Sequence, residues 1–178
     1  MSLVKITGLL VSIGSFFVAR PCFAELPLGV VPVTVELKNE LGGRLDGSGW
    51  SSSELTGKVF SVFYVDPDEK DTNNAAADAL KKEAFDAKNF ASVAIINMAA
   101  TWAPNFAIQS SLEKKQKEFP QALYLRDNKK VLVDKWKLKD DSSNIMVFGK
   151  DGKVLFAKDG KLSTAEVDTM IKTIKDNL

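Results

Sequence analysis

The sequence predicts an α/β fold: a mixed sheet flanked by helices, with an added β-hairpin at the N-terminal end. Three observations predict it. Residues 59–65 (VFSVFYV) are a continuous apolar and aromatic run of strand length, the pattern of a central strand covered on both faces. Strand and helix periodicities then alternate along the chain, with no repeat, linker or low-complexity segment. The chain closes on a hairpin signal followed by an amphipathic helix with a capping box.

The first 24 residues read as a secretion signal. A short start bearing Lys5 precedes an apolar stretch over residues 6–19, too short to span a bilayer. Pro21 ends that stretch, and Cys22 and Ala24 are the small residues that cleavage after Ala24 requires. Residues 25–178 then form one domain, and the expected compartment is the periplasm, with no membrane span after cleavage. An alternative is a lipoprotein anchored through Cys22, although Arg20 and Pro21 stand where such a site wants small or aliphatic residues.

In residues 30–37 the apolar side chains Val31, Val33, Val35 and Leu37 alternate, the period of a half-buried strand. Gly42-Gly43 breaks the chain, and residues 45–50 return as the second hairpin arm. Residues 51–55 read as a short capped helical turn ended at Gly57. The central strand 59–65 follows, then an acidic loop, then a helix capped by Asp71 or Thr72 with Ala77, Leu80 and Ala84 inward. Residues 91–96 are the next strand. Residues 105–119 form a helix with Ile108, Leu112 and Phe119 inward, ended by Pro120. A short strand (122–125) and a short helix or extended turn (128–136) come next. Residues 145–148 and 154–157 flank the turn Lys150-Asp151-Gly152. In the last helix Ser163 and Glu166 make the capping box, and Val167, Met170, Ile171 and Ile174 make one apolar stripe.

Composition narrows the chemistry. The chain has no histidine and one cysteine, Cys22, so a domain beginning at residue 25 has neither thiol nor imidazole. Those two groups carry most nucleophilic, redox and neutral-pH acid–base catalysis. Cleavage removes Lys5 and Arg20 from 24 basic residues against 23 acidic ones, leaving a net charge of about −1. No single-signed field remains to draw nucleic acid.

The order of elements resembles the thioredoxin-like fold in its periplasmic redoxin version. Gly29 with Pro32, the run Leu55-Thr56-Gly57-Lys58-Val59, and the Gly152-Lys153-Val154 hairpin before the closing helix carry that resemblance. More closely, the chain is similar to the YtfJ family of Gram-negative periplasmic proteins. That likeness rests on Trp136-Lys137-Leu138, Ser142-Ser143, Lys150 to Val154 and Ala157 to Leu162, supported by Ile96-Asn97 and Ser110 to Lys115. The resemblance implies a thioredoxin-like periplasmic protein and brings no reaction with it. It places the two redox cysteines of active thioredoxins near Glu69 and Thr72, and their cis-proline near Ser143. None of the three is present, so thiol–disulfide exchange is not expected.

The candidate binding surface joins the acidic loop to the segment facing it. Asp66, Asp68, Glu69, Asp71 and Thr72 enter a helix N-terminus, where carboxylates either cap the helix or pair with a cation or basic peptide. Their spacing matches no calcium loop, and no metal or cofactor is expected. Ser142, Ser143 and Asn144 either hold an extended peptide by strand addition or form a turn before the next strand. Trp102, near Pro104, is either a partner anchor or a packing residue, whereas Trp136 reads as packing. The lysines over residues 114–139 read as a solvated face. No residue is given a catalytic role. The leading expectation is a redox-inactive periplasmic binding or adaptor protein for a protein or peptide. The alternative is a non-thiol enzyme working through loop carboxylates, Asp140 and Asp141 among them, or a Ser–Lys pair.

Overall fold

The computed structural model describes residues 26–178, so the expected signal peptide and Cys22 lie outside the described residues. Eight strands and four helices follow in order: β1 (Glu36–Leu37), β2 (Gly42–Arg44), β3 (Trp50–Ser51), β4 (Val59–Val65), α1 (Asn74–Glu83), β5 (Phe90–Asn97), α2 (Asn105–Glu118), β6 (Ala122–Asp127), α3 (Val131–Trp136), β7 (Ser143–Phe148), β8 (Val154–Asp159) and α4 (Thr164–Asn177). Six strands form the main sheet in the order β2-β6-β5-β4-β7-β8. β4, β5 and β6 run parallel, joined by the crossovers that carry α1 and α2. β2 pairs antiparallel with β6, and β7 lies antiparallel between β4 and β8. No helix among the described residues is long and apolar enough to cross a membrane.

The first face of the sheet is closed by α3 and the N-terminal segment. Val62, Tyr64, Ile95, Leu125 and Phe148 pack there against Leu37, Trp50, Leu55 and Trp136. The Trp136 indole N–H donates to the Val33 carbonyl at 2.8 Å, and its ring centroid is 5.7 Å from that of Phe148. On the second face, α1 and α4 press Ala76, Leu80, Met170 and Ile174 onto Val59, Ile145, Val147 and Phe156. Each fully buried Val, Leu, Ile, Phe or Met side chain among these contributes roughly 1.5–3 kcal/mol. The α4 capping box forms as read: Ser163 accepts from the Glu166 N–H, and Glu166 accepts from the Ser163 N–H at 2.8 Å.

The expected N-terminal hairpin forms as a small antiparallel pair, and two details of the expected fold are corrected. The N-terminal hairpin shrinks to two-residue arms, with Leu37 opposite Trp50, while Val31 and Val33 stay exposed. The reason is Gly42. At φ 122° it turns the chain onto the main sheet opposite Asp127, where a Cβ would sit 2.0 Å from the Arg126 carbonyl oxygen. β4 is also not covered evenly: Val62 and Tyr64 are buried, whereas Phe63 and Val65 on the other face are only half-buried. That second face is open beyond the reach of α1 and α4.

Candidate functional site

The parallel strands β4, β5 and β6 end side by side, the place where open α/β sheets present ligand-binding loops. Each ends in or just before a buried polar residue: Asp66, Asn97 and Asp127. Asp66 is 3% exposed and accepts from the Asp68 N–H at 3.0 Å, capping the turn Pro67–Glu69. Its carboxyl is pushed above the usual carboxylate range, first by burial and then by the neighbouring acids Asp68, Asp141 and Asp140. Asp127 is fully buried. It accepts from the N–H groups of Val131 and Leu132, both at 2.9 Å, which starts α3, and from the Tyr64 hydroxyl at 3.2 Å. Burial and the Asp127 carboxylate raise the Tyr64 phenol well above its ordinary value. Asn97 donates to Asp140, which also takes the Lys130 ammonium, and the Asn97 Oδ1 has no partner.

The expected surface divides in two. Asp68, Glu69 and Asp71 are exposed in the loop before α1, Thr72 is half-buried, and Trp102 is 93% exposed. The Thr72 hydroxyl donates to Glu69, so the two positions near which the resemblance places redox cysteines hold an oxygen–oxygen hydrogen bond. Ser142, Ser143 and Asn144 are buried, which corrects the strand-addition reading. β7 uses both of its edges, on β4 and on β8, so no peptide can add there. Asn144 closes on the Lys139 backbone instead, and the Ser142 carbonyl takes the Asp66 N–H at 3.0 Å. No peptide bond among the described residues is cis.

Asn73 ties the two halves together and was missed by sequence reasoning. It, not Asp71 or Thr72, precedes α1. Its Nδ2 donates to Ser143 Oγ and to the Gly160 carbonyl, both at 2.9 Å, and its Oδ1 accepts from the Leu162 N–H at 2.9 Å. The available signal was an asparagine where a helix begins.

Beside this loop lies a cavity of about 900 Å³ between α1, α2 and the open sheet face. Its floor is Phe63, Val65, Ala94, Ile96 and Tyr124; Pro67, Asp68, Lys70 and Asn73 form its loop end. The stripes expected to pack inward, Ala77, Leu80 and Ala84 from α1 with Ile108, Leu112 and Phe119 from α2, all border this space, and of them Leu80 also belongs to the core beneath α1 and α4. The cavity exists because α2 stands off the sheet. Of its residues only Leu112 is buried, and Phe106 is 78% exposed. Gln116 holds the far end of α2, donating to the Ala122 carbonyl at 2.8 Å and accepting from the Tyr124 N–H at 3.3 Å. Thr101 reaches Asp68 across the loop end at 3.4 Å, and Lys81 lies 5.3 Å from the Phe119 ring centre at the other end. Ligand pockets usually measure about 300–1,000 Å³ and are mostly apolar. The arrangement has the size and the largely apolar lining of such a pocket.

The exposed lipoprotein thioredoxin (Etrx1) of Streptococcus pneumoniae superposes with a TM-score of 0.56 at 15% identity, over 80% of this chain and 98% of that one. At that identity the likeness shows the thioredoxin-like fold alone. A protein of Haemophilus influenzae is 30% identical over 128 residues, 70% of each chain. YtfJ of Escherichia coli is 29% identical over 129 residues, 71% of this chain and 70% of that one. A family model described as "Bacterial protein of unknown function (YtfJ_HI0045)" matches residues 29–177, nearly the whole described domain, and the chain therefore belongs to that family.

Proposed function

We propose that this protein is a redox-inactive, periplasmic binding protein that holds an apolar ligand between α1, α2 and the sheet. The observation that carries the reading is the cavity of about 900 Å³, lined by side chains that the sequence patterns as core. The thioredoxin-like frame is kept, while the positions near which its dithiol is expected carry Glu69 and Thr72. Export follows from the signal-like residues 1–24, with Glu25 as the new N-terminus, which an intact mass of the secreted protein checks.

The test uses the neutral apolar dye phenylnaphthylamine, which fluoresces when it leaves water. Saturable fluorescence is expected with the wild-type protein, and its loss with Ala94→Phe, which fills the cavity from the floor. Equal binding by the two proteins, or none by either, would sink the reading. Native mass spectrometry of protein taken gently from its own compartment would identify a small molecule carried along.

A second reading, a protein adaptor, draws support from Trp102 and Phe106, two large exposed side chains at the start of α2. A photo-crosslinker at Trp102, with Lys82 on α1 as control, distinguishes it by a discrete adduct from Trp102 alone.

A further inference from the structure

Resting on that binding reading, we infer that the cavity takes a single-chain amphiphile: a hydrocarbon tail with an anionic head, held by Lys81 and Lys115. The floor dictates the tail. From Phe90 to Ile96 it runs six residue steps along β5, a length of about 20 Å. A cavity of about 900 Å³ over that length has a mean cross-section of about 45 Å², the shape of a slot. Along β5 the one polar side chain in the lining is Ser92, and its hydroxyl is already bonded to the Ser61 hydroxyl at 2.8 Å. A ligand lying there meets one side-chain hydroxyl from that strand, already engaged with Ser61, and otherwise hydrocarbon. Its buried part must therefore be apolar, because a polar group placed there would lose its water without compensation.

The rim dictates the head. Lys81 from α1 and Lys115 from α2 line the same cavity from opposite helices; neither is in a direct ion pair among the described residues, and the Lys115 charge is felt by Asp71. Lys81 lies over the Phe119 ring, which leaves its ammonium free to face a carboxylate or phosphate. The third lining lysine, Lys70, is already paired with Asp71. Two acids also line the cavity: Asp68, which takes the Thr101 hydroxyl, and Asp78 on α1. Asp68 lies at the loop end, whereas Lys81 lies beside Phe119 at the other, so the anionic head belongs at the Phe119 end, away from Asp68.

The test is titration of the mature protein with the fluorescent fatty acid cis-parinaric acid and, separately, its methyl ester, both below the concentration at which they aggregate. The acid is expected to bind more tightly than the ester. The double change Lys81→Gln with Lys115→Gln should weaken the acid by about fivefold, the scale of two partly exposed ion pairs, and leave the ester unchanged. Both lysines are exposed, so the variant retains the fold, and unchanged phenylnaphthylamine binding verifies that its cavity is intact. Acid and ester binding alike, or a variant that binds the acid as well as the wild type does, would overturn the anionic head while leaving the apolar site standing. Failure of acid, ester and neutral dye together would overturn the site itself. Unchanged binding of the acid by Ala94→Phe would place it elsewhere and overturn both.

Discussion

Asn73 and Ser143 stand 70 residues apart in the chain, and their buried side chains meet in a hydrogen bond of 2.9 Å. That bond fixes the start of α1 to the start of β7. The same Asn73 side chain then satisfies the Gly160 carbonyl and the Leu162 N–H, so one amide pins three separate segments.

Asn73→Ala should therefore cost more than Ser143→Ala. It leaves a buried N–H and a carbonyl without partners, at about 1–3 kcal/mol each, whereas Ser143→Ala removes one acceptor. Urea unfolding of both variants checks this. Equal losses would mean that water replaces the Asn73 contacts.

Gln116→Ala should loosen α2 without unfolding the domain. The side chain takes the place of a neighbouring strand on the first half of β6, which β2 leaves uncovered, at the Ala122 carbonyl and the Tyr124 N–H. A global loss of about 1 kcal/mol is expected, with faster amide exchange confined to α2 and the first half of β6. Exchange that rises evenly across the protein would contradict this anchoring role.

Asp66 sets a pH dependence of unusual sign for an aspartate. Its folded pKa lies above the ordinary 3.8, chiefly through burial, so the folded state keeps a proton that the unfolded chain has released. Its contribution to stability is complete below 3.8 and is lost as pH rises through the folded value. Asp66→Asn keeps an oxygen for the Asp68 N–H and removes the titration. The variant should be at least as stable as wild type at neutral pH and lack the decline, as measured by thermal melts between about pH 4 and 8.

Glu166 has the opposite sign. Accepting from the Ser163 N–H and hydroxyl, with Lys158 nearby, its carboxyl is held at about 2 instead of 4.5. Its stabilisation is present above 4.5 and disappears as pH falls from there towards 2. Glu166→Gln should flatten the acid limb of the stability curve over that window and leave the alkaline limb alone.

Local chemistry is legible in the sequence at the C-terminal end of the chain, although not at the start of α1, which Asn73 and not Asp71 or Thr72 precedes. The Ser163–Glu166 capping box, the stripe Val167, Met170, Ile171 and Ile174, and the turn at Gly152 are all formed by residues close in the chain. The sequence was read incorrectly where long-range pairing decides. Nothing near Gly42 announces that it pairs with Asp127, and nothing near Ser143 announces that β8 and Asn73 cover it. The acidic loop was found as a segment, but burial separates Asp66 from Asp68 and Asp71, which periodicity could not do. The cavity was legible only by its walls. A helical stripe of Ala77 and Leu80 gives the direction in which side chains point and says nothing of how far away the facing surface lies.

The sheet bears its load unevenly. Tyr64, Ile95 and Leu125 on one face are locked into a closed core, whereas Ala94 and Ile96 on the other border open space, as does Ile108 of α2. Substitutions at the first three would be filtered by folding itself. Substitutions at the second three alter the shape of the slot while the frame survives, so this architecture permits rapid drift in what is bound, and a mutational library confined to that wall would yield folded proteins of differing appetite.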